Sequence, residues 1–76
     1  MKLTILNSAL KHGFTEFDII NTMKYPIAVI ETEKDDRCFV GWSLAGVPIE
    51  VLVETRDNHI IVYHCQVISS SVEKMI

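Results

Sequence analysis

Four side chains in this 76-residue chain are of the types that proton transfer and phosphate handling require: His12, Arg37, Tyr63 and His64. Imidazole exchanges protons near neutral pH. A guanidinium forks onto a phosphate, and a phenol donates or orients a hydrogen bond. Each also has a plainer reading. His12 falls at the end of a predicted helix, where it fits a C-terminal cap as well as a reactive group. His64 lies in the last predicted strand between Tyr63 and Cys65, either as a hydrogen-bonded core residue or as a site residue. Strand alternation predicts that Tyr63 and His64 project from opposite faces. Arg37 follows Asp35 and Asp36, so a surface ion pair explains it as well as a phosphate does. Trp42, Phe39 and Tyr63 offer a stacking surface for bases, although Trp42 shares a predicted face with Cys38 and Val40, which favours the core. His59 reads as exposed. Glu50 and Glu54 read as solubilising residues on a polar strand face, and Lys11, Lys24, Lys34 and Arg56 as solvated side chains.

No phosphate-cradling glycine loop, zinc-ligand spacing, nucleophile elbow or dinucleotide fingerprint occurs. Cys38 and Cys65 form no C-x-x-C pair and read as small core residues in a reducing compartment. No metal or cofactor is expected. Ten acidic residues against seven basic ones give a net charge of −3. Long-range attraction to a polyanion is therefore absent, and an RNA function needs a local basic cluster. With 49% hydrophobic and 22% charged residues, the chain should fold, and its length allows one domain over residues 1–76. The longest apolar run, Pro26 to Ile30, is too short to span a bilayer, and no secretory h-region is seen at the N-terminus. The expectation is a cytoplasmic protein.

The elements that must position these residues are read from periodicity. Leu3, Leu6, Ala9 and Leu10 recur at helical spacing and Gly13 follows, predicting a helix near residues 3–11. Thr15 and Asp18 have capping-box spacing, Phe14 and Ile19 that of a hydrophobic staple, and Pro26 ends the second helix at Tyr25. Phe17, Ile20 and Lys24 share one side of it, and Glu16, Ile19, Ile20 and Met23 another. From Ile27 the period becomes two. Strands are predicted over Ile27 to Glu33, Arg37 to Ser43, Val47 to Glu54 and His59 to Ile68. The turns between them are Lys34-Asp35-Asp36, Ala45-Gly46 and Thr55-Arg56-Asp57-Asn58. Ser70 and Glu73 could cap a short last helix. The expected fold is α+β: two N-terminal helices packed on a four-stranded antiparallel meander.

Several stretches together resemble the BrnT-like toxins of the RelE/ParE superfamily. They are Lys11-His12-Gly13, the helix start Thr15-Glu16-Phe17-Asp18-Ile19, Lys24-Tyr25-Pro26, the Arg37-x-x-x-Gly41 strand, and the closing Ile60-Ile61-Val62-Tyr63-His64-Cys65. The resemblance covers residues 11–68. It implies a RelE-like fold and the toxin component of a type II toxin–antitoxin system, a metal-independent endoribonuclease acting on mRNA. Its partners would be a cognate antitoxin and RNA. In that reading His64 or His12 exchanges protons with the ribose 2′-hydroxyl and the leaving oxygen, Arg37 holds the phosphate, and Tyr63 orients or donates. Family members typically close on an Arg-rich segment, whereas Ser69-Ser70-Ser71-Val72-Glu73-Lys74 here carries one cation. The alternative is a non-catalytic protein-interaction module of the same fold. Both readings involve a protein partner, and the apolar content also suits a homodimer.

Overall fold

The computed structural model describes residues 1–32 and 35–76. Its best-marked element is α1, Glu16–Lys24, which starts as its capping signal requires. The Thr15 hydroxyl accepts from the Asp18 amide, and the Asp18 carboxylate accepts from the Thr15 amide at 2.9 Å. Asp18 also accepts from the Leu44 amide at 2.8 Å, which ties the helix start to the turn after the third strand. Ile19 and Thr22 are buried beneath the helix, and Phe14 packs on the same core as Ile19.

Among the described residues five strands form one sheet, and only the first is out of sequence order in it. They are β1 (Lys2–Ile5), β2 (Ala28–Glu31), β3 (Asp36–Trp42), β4 (Pro48–Arg56) and β5 (His59–Val67), in the order β1-β5-β4-β3-β2. β2 to β5 pair antiparallel in succession. β1 pairs parallel with β5, with Leu3 beside Ile60 and Ile5 beside Val62. Asp57 and Asn58, both at positive φ, close the β4–β5 hairpin, as Asp and Asn do in tight two-residue turns. The β2–β3 connection contains Glu33 and Lys34, so part of the predicted Ile27–Glu33 strand and of the Lys34–Asp36 turn lies outside the described residues. Asp36 itself belongs to β3.

This corrects the expected fold. The sheet is five-stranded and mixed, and the described residues contain one α-helix longer than a single turn. The predicted first helix is instead β1 followed by one 3-10 turn, Asn7–Leu10. The physical reason lies in competition for backbone partners. A nine-residue helix is marginal on its own, whereas pairing with β5 gives the Lys2 and Leu6 amides acceptors at Asn58 and Val62, 3.1 and 3.0 Å away. Leu3 and Ile5 satisfy a strand period as readily as Leu3, Leu6 and Leu10 suggest a helical one.

α1 and the 3-10 turn cover one sheet face. Ile49, Val51, Val53, Val62 and Cys65 pack there against Ile19 and Ala9, all buried. Gly41 lets α1 approach β3 closely, since a Cβ at that position would lie 3.0 Å from Thr22 Cγ2. On the other face Cys38, Val40 and Glu50 are buried. The chain returns to that face after β5, where the Ser69 amide donates to Glu50 Oε1 at 2.7 Å and Gln66 donates to Oε2 at 3.3 Å. A single closing turn, α2 (Ser70–Glu73), is capped by Ser69. Glu50, at 4% exposure, is therefore a structural acceptor and not the solubilising residue expected. Trp42, expected in the core, is 52% exposed.

Candidate functional site

β1 ends at Ile5, so the edge of β5 beyond Val62 is open, and the 3-10 turn docks along it. The Ser8 hydroxyl donates to the Tyr63 carbonyl at 2.7 Å. His12 follows this turn, and Gly13 at φ +89° sends the chain back toward α1. The His12 ring meets His64 edge-on, centroids 5.4 Å apart and planes at 77°. Two of the four residues singled out in the sequence are thus brought together from opposite ends of the chain. His59 is separate, with Nε2 2.6 Å from the Thr4 hydroxyl. It is half-buried rather than exposed as expected.

A β-bulge overturns the expected placement of Tyr63. His64 lies opposite Leu52 and Val62 opposite Val53, leaving Tyr63 as the extra residue. Alternation is broken there. The Tyr63 hydroxyl donates to Asp36 at 3.2 Å, and Asp36 pairs with Glu54, two residues from Leu52. Tyr63 and His64 therefore project on the same side of the sheet. Burial and the adjacent Asp36 carboxylate push the Tyr63 phenol above its usual range, making it a hydrogen-bond donor and not a base.

Arg37 stands apart from the other three. It pairs with Val53, the neighbour of Leu52, so it projects from the opposite face to His64. There it lines a cavity of about 260 Å3 with Met1, Asp35, Thr55 and Ile60. The set His12, His64, Tyr63 and Arg37 does not converge on one phosphodiester.

Both thiols are inert by environment. Burial first, then the charge of Glu50, pushes Cys38 up to about 11. Cys65 also rises to about 11, through burial and then the charges of Asp18 and Glu50.

Large apolar side chains on α1 and β2, and on the residues between them, are left exposed. Phe17 and Tyr25 are 76% and 72% exposed, and Ile27 and Val29 are 53% and 47% exposed. Phe17 and Ile20 occupy the outer side of α1, opposite the side that buries Ile19 and Thr22. A helix apolar on two sides was the available signal, since one core can cover only one of them. β2 is the last strand of the sheet. Its bonded pairs to β3 run through Ala28 and Ile30 in register with the Thr32 amide, which donates to Asp36 O at 3.2 Å. Alternation then turns the amides and carbonyls of Val29 and Glu31 outward, with no strand beside them among the described residues.

No family model, curated protein or solved structure matches this chain. Among the described residues no group of three or more His, Cys, Asp or Glu side chains is arranged to hold a metal, and no helix is long and apolar enough to cross a membrane.

Proposed function

We propose that this domain works by binding a second protein on the surface formed by α1 and β2. The observation that carries this reading is the exposure of Tyr25, Ile27 and Val29 along β2 and the segment leading into it, an edge strand with no outer partner among the described residues, with Phe17 exposed on α1. Apolar groups of this size left in water along a free edge favour burial by a partner. The outward backbone of Val29 and Glu31 suits addition of a partner strand, with the neighbouring apolar side chains giving it a floor. The resemblance to BrnT-like chains supplies the partner class, a cognate antitoxin encoded beside the toxin. Val29→Lys places a charge on the contact without touching the core. It should abolish co-purification with the product of the adjacent gene while leaving the circular dichroism spectrum unchanged. Co-purification undiminished in that variant would refute the surface.

A second reading, the endoribonuclease, is favoured by one observation, the pairing of His12 with His64. Two adjacent imidazoles provide a base for the ribose 2′-hydroxyl and an acid for the leaving oxygen. The phosphate would then rest on Lys11, next to His12 in the chain, since Arg37 projects from the other face. Growth arrest on induced expression that His64→Ala removes from a folded protein would favour this reading.

A further inference from the structure

The His12–His64 separation fits a shared metal ion as well as it fits edge-to-face ring packing. Two imidazoles bound to one tetrahedral zinc through bonds of about 2.0–2.1 Å hold their centroids about 5.2 Å apart. Here they stand 5.4 Å apart. His12 is exposed and His64 half-buried, so the pair is reachable from solvent. Both rings lack a protein hydrogen bond among the described residues, in contrast to His59, which is held by Thr4. The two rings are also positioned by separate restraints. The Ser8–Tyr63 bond fixes the 3-10 turn on β5, and the bulge at Tyr63 sets where His64 projects. Pre-positioned ligands of this kind lose little freedom on binding an ion.

We infer that His12 and His64 form a two-histidine site for a divalent transition metal, of the kind that imidazole favours: zinc, nickel or copper. No third His, Cys, Asp or Glu joins them among the described residues, so the remaining positions fall to water. The site is open, and its ligands must be neutral to bind, so acid weakens it. It is independent of the α1–β2 surface, which lies on other elements.

The test is calorimetric titration of the full chain with zinc chloride alone, near pH 7.5, against His12→Ala, His64→Ala and the control His59→Gln. The expected result is one site per chain in the wild type and control, and at least ten-fold weaker binding in each of the other two. A parallel thermal melt should rise by about 4–8 °C once zinc reaches roughly five times its dissociation constant, and chelation should reverse the rise. No binding by the wild type, equal binding in both alanine variants, or a loss confined to one of them would overturn the site and leave an aromatic contact. His12 is exposed, so its substitution spares the fold. Should His64→Ala fail to fold, the imidazole resonances of His64 in the wild type must shift with zinc, and their failure to do so overturns the proposal.

Discussion

Asp18 joins α1 to the β3–β4 turn through one carboxylate, and replacing it by alanine measures what that junction contributes. The side chain accepts from its own helix cap at Thr15 and, across 26 residues of sequence, from the Leu44 amide. Loss of a helix cap costs about 1 kcal/mol. A buried amide left without its acceptor costs about 1–3 kcal/mol, toward the lower end here because the Leu44 side chain is exposed and water can approach. Asp18→Ala should therefore cost about 2–3 kcal/mol. Against a total of about 4–11 kcal/mol for a domain of this length, that lowers the melting temperature by about 10–20 °C. Thr15→Ala, which removes only the hydroxyl cap, should cost about 1 kcal/mol. The pH dependence carries a sign. Burial raises the Asp18 pKa, but the Leu44 and Thr15 hydrogen bonds outweigh it and hold it below 3.8. A depressed carboxyl stabilises the fold above its unfolded pKa and loses that contribution as pH falls through the folded one. The stability gap between wild type and Asp18→Asn should thus be full at neutral pH and shrink below about pH 4. Urea melts followed by circular dichroism measure both quantities. A loss under about 0.5 kcal/mol for Asp18→Ala, within the range of ordinary surface substitutions, would refute the reasoning.

Gly41→Ala should destabilise by about 1–3 kcal/mol through overpacking against Thr22, measured by the same melts. Thr22→Val should cost nothing or stabilise slightly, because the buried Thr22 hydroxyl has no hydrogen-bond partner among the described residues. Cys38 and Cys65, both buried and raised to about 11, should resist a thiol reagent at pH 8 until the chain is unfolded, and rapid labelling of the native protein would contradict their placement. Growth arrest, where induced expression causes it, should survive Arg37→Ala, because that side chain projects away from the His12–His64 pair. Loss of arrest in folded Arg37→Ala would restore Arg37 to the site.

Local signals were the readable part of the fold. The Thr15–Asp18 spacing located α1, Pro26 its end, and period-two alternation the four hairpin-linked strands to within a few residues. β1 was not readable, because Leu3, Leu6 and Leu10 fit a helix and nothing local announces a parallel partner at the other end of the chain. The bulge at Tyr63 was equally silent, and it reversed the relation between Tyr63 and His64. Trp42 and Glu50 exchanged expected roles for the same reason. Burial on the second face depends on where the chain goes after β5, which strand alternation alone does not encode. Of the site, the residue types His12 and His64 were legible and their contact was not. Arg37 was separated from them by one step of β4 register.

The most direct test of the partner-binding surface is calorimetric titration of the chain with the protein encoded beside its gene, comparing wild type with Val29→Lys, Tyr25→Asp and His64→Ala. The account predicts binding that the first two substitutions abolish and the last leaves within about two-fold, since distant, independent sites do not couple. Binding that survives Val29→Lys and Tyr25→Asp but fails with His64→Ala would contradict it.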